Sequence, residues 1–211
     1  WIGKIIQAMA ERGTWGNCLS FFLADHGEHL GAHGKLGKGH FYEESGRIPF
    51  IVRWPGRIRP MGSTDALTEH IDVCPTILEA IGGEQTQGHY GTSLVPVLTG
   101  KSEAVHDAVF SEIATRSNNR HMVRTLTHKW WVDNGREFLF DMADDPHEMN
   151  NLAADRTDLC TEMRNRLLQF YIDTPFDRAR DYKPLFTRAG LASGETRVAD
   201  RLYLMFQEFT D

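Results

Sequence analysis

Apolar and polar positions follow a few distinct rhythms along this chain. Ile2, Ile5, Ile6 and Met9 recur at helical spacing with Lys4, Gln7 and Glu11 opposite, and Gly13 supplies a stop, so the first element is an amphipathic helix. Residues 18–24 (CLSFFLA) and 48–52 (IPFIV) are nearly continuous apolar runs, the pattern of strands covered on both faces. A helix follows before Gly82, with Ile71, Cys74, Ile77, Leu78 and Ile81 on its core face; Pro75 fits only in its first turn. Helix, strand, loop, strand and helix together predict an α/β sheet.

The rhythm shortens after about Gly100. Residues 108–114 read as a strand, and RHMVRTLTHKWWVDNGREFLFDM holds two β-rich runs joined by Asn134-Gly135, a hairpin signal. DDPHEMNN is turn chemistry. Asp155 or Thr157 then caps a helix whose core face is Leu159, Met163, Leu167 and Phe170. This predicts a small antiparallel sheet backed by a helix, in which Trp130, Trp131 and His128 read as core rather than as a sugar contact. Val198, Leu202, Met205, Phe206 and Phe209 mark a last amphipathic helix. The expected division is 1–104 and 105–211.

Composition narrows the chemistry. The 211 residues carry a net charge of -6, spread without blocks, so neither a nucleic-acid stripe nor a polybasic membrane segment is expected. No apolar run approaches the roughly 20 residues of a membrane helix. No leader can be read ahead of Trp1, and the chain is expected to have lost its beginning. Cys18, Cys74 and Cys160 are far apart and read as buried thiols. Nothing points to a compartment.

The stretch FFLADHGEHLGAHGKLGKGHFYEES, residues 21–45, holds four of the ten histidines. Asp25 and His26 stand at the carboxyl end of the first strand, where ligands gather in α/β sheets. An adjacent carboxylate and imidazole can share one cation, with Gly27 turning the backbone to aim them; the alternative is an Asp that caps the following turn. Lys38, between Gly37 and Gly39, can approach an anion closely, or is a solvated surface charge. His29, His33 and His40 read as loop residues, because they lack the helical His pair or paired cysteines of a zinc site.

In this order and at this separation, DHGEHLGAHG, GKGHFYEES and RIPFIVRWPG resemble the sulfatase family within the alkaline phosphatase superfamily. HIDVCPTILEAIG, GTSLVPVLTG and LFDMADDPHEMNNLA resemble that family's later segments, and the similarity runs to about residue 172. The resemblance implies the C-terminal part of an alkaline-phosphatase-like mixed sheet with flanking helices, followed by the small antiparallel sheet and its helix. It implies that Asp25 and His26 hold a divalent metal, Ca2+ first, with Mg2+ or Mn2+ as alternatives. It implies that Lys38 binds the sulfate group and acts in catalysis, and that Tyr42, Glu43, Glu44 and Arg47 support the loop.

The family's nucleophile, a formylglycine made from a C/S-x-P-x-R motif, has no counterpart here; Cys74-Pro75 does not fit that spacing. The family's other acidic cation ligands are also missing. Residues 1–211 are therefore expected to be the C-terminal portion of a longer enzyme. The formylglycine would lie in the missing N-terminal part of the same enzyme, and this chain alone would be inactive and hold its cation weakly. The implied partners are a sulfate ester small molecule or sulfated sugar, with no nucleic acid and no membrane. The alternatives are a phosphonate monoester hydrolase or phosphodiesterase of the same superfamily, and a non-catalytic binding module. A missing first part would leave an unpaired sheet edge, with Trp1, Ile2, Ile5 and residues 21–23 exposing apolar surface.

Overall fold

A computed structural model describes residues 1–58, 62–83, 90–114 and 119–174. Trp1–Tyr171 forms one compact unit and Ile172–Asp211 a second. The helix expected around residues 198–209 lies outside the described residues.

Helix α1 (Ile2–Glu11) opens the chain, and β1 (Ser20–Leu23) and β2 (Phe50–Arg53) form an antiparallel pair with Phe22 opposite Ile51. Neither strand is covered on both faces, against the expectation from their apolar runs. Phe22 is 45% and Ile51 60% exposed, because they share one face and nothing among the described residues lies over it. Trp1, Ile2 and Ile5 are likewise exposed. Between the strands runs the histidine-rich loop, ending in the single turn α2 (Glu43–Gly46).

A 3-10 turn at His70–Asp72 leads into α3 (Val73–Ala80), and Pro75 falls in its first turn as expected. The buried face differs from the expected apolar one. It presents Asp72, Pro75 and Thr76, whereas Ile71, Cys74, Ile77 and Ile81 are exposed. The cause is a hydrogen-bonded seam. Asp72 accepts from the Thr92 amide at 2.8 Å, and the Thr76 hydroxyl accepts from the Leu94 amide at 2.9 Å, so these polar groups turn inward fully partnered. Of the three cysteines, Cys160 is buried, Cys18 is half-buried and Cys74 is exposed. The single turn α4 (Val95–Leu98) follows.

Strands β3 (Val109–Ala114), β4 (Asn119–Arg124), β5 (His128–Asp133) and β6 (Arg136–Asp141) form an antiparallel meander in sequence order. The stretch predicted as two runs is three strands. Its extra turn at 125–127 is sealed by the Thr125 hydroxyl, which accepts from the His128 amide at 3.0 Å. Asn134-Gly135 makes the expected two-residue hairpin, with Asp133 opposite Arg136.

Side chains alternate across this sheet and bury both faces. Val123, Trp130 and Leu139 pack against Cys160 and Met163 of α5 (Thr157–Asp173), with Leu159 and Leu167 beside them. On the other face, Trp131, Phe140 and Met142 pack against Phe41 and Tyr42, the end of the histidine-rich loop. The sheet thus lies between a helix and the loop that carries the candidate chemistry.

Candidate functional site

The loop is closed by its own polar groups. The Glu28 carboxylate accepts from the Gly37 amide at 2.6 Å, and the His29 amide donates to the Gly37 carbonyl at 3.0 Å. This double staple returns the chain to the end of β1. Gly37 and Gly39 flank Lys38 with φ of 77° and 94°, left-handed values that suit glycine and let the lysine swing back. Gly27 is needed for a different reason than a turn. A Cβ there would lie 1.9 Å from the Glu44 carbonyl oxygen, so only glycine lets the two loop segments touch.

Asp25, His26 and Lys38 meet. His26 Nδ1 lies 2.7 Å from the Gly27 carbonyl, which makes Nδ1 the protonated nitrogen and leaves the Nε2 lone pair outward. Lys38 Nζ donates to that Nε2 at 2.6 Å, and Asp25 Oδ2 is 3.3 Å from the same atom. The Nε2 lone pair is thus taken by the Lys38 ammonium, with an Asp25 oxygen beside the ring nitrogen. The exposed Asp25 carboxylate is held below its ordinary pKa, first by the His26 amide that donates to Oδ1 at 3.0 Å and also by the Lys38 charge, with desolvation opposing. Two donors of this kind fit at most about a third of a divalent site, since a hard cation takes about six or more.

The remaining histidines are placed differently. His29 is buried, with neither ring nitrogen hydrogen-bonded, and burial pushes its pKa down. His33 stacks on Tyr42 at 3.7 Å and reaches Glu44 at 3.4 Å. His70 Nε2 contacts the Ala24 carbonyl at 2.8 Å, just before Asp25.

Beneath the loop lies a buried charge cluster that sequence reasoning did not foresee. Lys129, 2% exposed, donates at 2.9 Å to Glu43 Oε1 and forms an ion pair at 2.9 Å with Glu148 Oε1. Glu148 Oε2 in turn accepts from the Glu43 amide at 2.6 Å, which ties the start of α2 to the turn after β6. Burial raises the pKa of Glu148, with Lys129 opposing. The only sequence signal was a lysine within the apolar run of β5.

Residues 31–173 match the family described as N-sulphoglucosamine sulphohydrolase, C-terminal. The chain belongs to the sulfatase family of the alkaline phosphatase superfamily. The multifunctional alkaline phosphatase superfamily protein PehA of Trinickia caryophylli is 32% identical over 73% of this sulfatase chain and 34% of its own length. A structure solved in complex with its substrate D-glucosamine-2-N,6-O-disulfate superposes with a TM-score of 0.76 at 26% identity, covering 83% of this chain and 38% of that one. The phosphonate monoester hydrolase of Agrobacterium radiobacter gives 0.72 at 29% identity, covering 82% and 38%. The chain spans about a third of the length of these sulfatase-like relatives.

Proposed function

We propose that this chain supplies one half of a sulfatase active site: Lys38 as the cation that grips the sulfate group, and Asp25 and His26 as two ligands of a divalent metal. The observation that carries the reading is the meeting of Lys38 Nζ, His26 Nε2 and Asp25 Oδ2 at the carboxyl end of β1. A fixed ammonium neutralises the charge of the sulfate group while the electron pair of the breaking S–O bond passes to the ester oxygen, and Gly37 and Gly39 let it reach that group. The metal, Ca2+ by family habit with Mg2+ or Mn2+ as alternatives, would polarise the same group as a Lewis acid. Glu28 holds Lys38 in place through Gly37.

The nucleophile belongs to a preceding segment of a longer polypeptide in this reading, which agrees with the third of its relatives' length that the chain spans. The purified chain should therefore hydrolyse no aryl sulfate, yet bind inorganic sulfate weakly and lose that binding in Lys38→Ala. Turnover by the chain alone would overturn the division of labour; sulfate binding indifferent to Lys38→Ala would overturn the role of Lys38.

A second reading keeps the site and changes the ester. The phosphonate monoester hydrolase neighbour favours a phosphonate or phosphate ester, since both groups are tetrahedral anions that the same ammonium and metal would hold. Parallel titration with sulfate and methylphosphonate separates the two.

A further inference from the structure

Beside the Lys38 loop a cavity of about 390 Å³ opens between that loop and the β5–β6 hairpin. The loop contributes His33, Lys35, His40 and Tyr42; the hairpin contributes Trp131, Asp133, Arg136 and Phe138. We propose that this cavity is a second anion subsite, which receives another sulfate or carboxylate of a polyanionic sugar whose first sulfate sits at Lys38. The proposal rests on the reading of Lys38 given above.

Charge points to an anion. Lys35 and Arg136 line the cavity and form no salt bridge among the described residues. Its one carboxylate, Asp133, is already held by Arg120 at 2.9 Å. The same Arg120 donates to the Gly39 carbonyl at 2.7 Å, so the cavity wall is fastened to the residue next to Lys38. The site is thus locally cationic in a chain of net charge -6, which repels polyanions elsewhere.

The aromatic walls point the same way, because their faces are already in use. Trp131 is stacked by Phe138 at 5.1 Å and by Phe140 at 5.0 Å, His33 covers Tyr42, and Arg136 lies 4.9 Å over Phe138. The Trp131 and Phe138 faces are therefore taken, as is one face of Tyr42. The ring edges carry positive potential and suit anions. His40 is two residues from Lys38, which bounds their Cα separation at roughly 7 Å, so one small ligand can span both positions. The volume also falls in the range of small-ligand sites, about 300–1,000 Å³.

The test uses the purified 211-residue chain, titrated by calorimetry or NMR with D-glucosamine-2-N,6-O-disulfate and with D-glucosamine 6-sulfate. Lys35→Gln/Arg136→Gln should weaken the disulfated probe about a hundredfold, as expected for losing two charge-assisted hydrogen bonds, and leave the monosulfated probe unchanged. Asp133→Asn, which removes the opposing charge and frees Arg120, should tighten the disulfated probe; a mere folding lesion would weaken it. Equal effects on both probes, no effect, or no binding of the disulfated probe to the unaltered chain overturns the subsite. Lys38→Ala addresses the other reading: indifference of both probes to it refutes the role of Lys38, while the differential loss at Arg136 continues to report the subsite.

Discussion

Replacing Lys129 by methionine isolates the buried charge cluster that holds the loop. Methionine keeps the stem's packing and deletes the ammonium. Glu148, whose side chain is fully buried, then keeps only the Glu43 amide, while Glu43 is 23% exposed and retains Arg124 at 3.9 Å. Breaking a buried pair costs about 3–5 kcal/mol, and the partial exposure of Glu43 places this case near the low end, about 3 kcal/mol. For a chain of this size that is a fall in Tm of roughly 9 °C. Urea unfolding followed by tryptophan fluorescence reads it, because Trp130 and Trp131 flank the site. The double variant Lys129→Met/Glu148→Gln, with no orphaned carboxylate, should recover most of the loss. The pH dependence has a definite sign. Without Lys129 the Glu148 carboxyl holds its proton to still higher pH, so its folded pKa exceeds the unfolded 4.5. The protonated form costs nothing below the unfolded value, and stability is lost as pH rises through the folded one. Lys129→Met should therefore be nearly harmless in acid and fully damaging at neutral pH. A loss below about 1 kcal/mol at neutral pH, or a double variant no better than the single, refutes the reasoning.

Gly27→Ala drives a methyl into the Glu44 carbonyl, at a cost of about 2–3 kcal/mol by overpacking, and should weaken sulfate binding; unchanged Tm and affinity would show that the segments separate freely. Glu28→Gln should cost under about 1 kcal/mol yet weaken sulfate binding, since it loosens the staple at Gly37; unaltered affinity removes Glu28 from the positioning of Lys38. His106 donates to the buried Asp72 at 2.9 Å, and that hydrogen bond raises its pKa above 6.5 despite desolvation. Its stabilisation is full below that value and fades as pH rises through the folded pKa, so the unfolding midpoints of the chain and His106→Gln should converge as pH rises above 6.5. A constant gap between them contradicts this.

Local chemistry was legible and distant pairing was not. Asn134-Gly135 announces its hairpin and Leu159, Met163 and Leu167 announce α5, because turn type and helical period are encoded within a few residues. The turn at 125–127 is hidden by threonines that also suit strands, and its signal is a hydroxyl bond visible only in space. The helix at 73–80 misleads by period: its apolar stripe is exposed, and the buried Asp72 and Thr76 are satisfied by amides some twenty residues away. At the site, Asp25, His26 and Lys38 were nameable from the loop, and the structure brings them together; their roles rest on the proposal above. Glu28 and Lys129 were not, since each acts by holding another segment's backbone or charge.

The bond from Glu148 to the Glu43 amide joins residues 105 apart in sequence. Closing so long a loop carries an entropy cost of roughly 4 kcal/mol, so this link forms late in folding, after the local hairpins and α5. On a ribosome, the segment bearing Lys38 stays open until residue 148 has emerged. Chains halted before that point should be cut by protease between residues 27 and 41, and those extended past it protected; equal cleavage of both would show that the loop closes without its distant anchor.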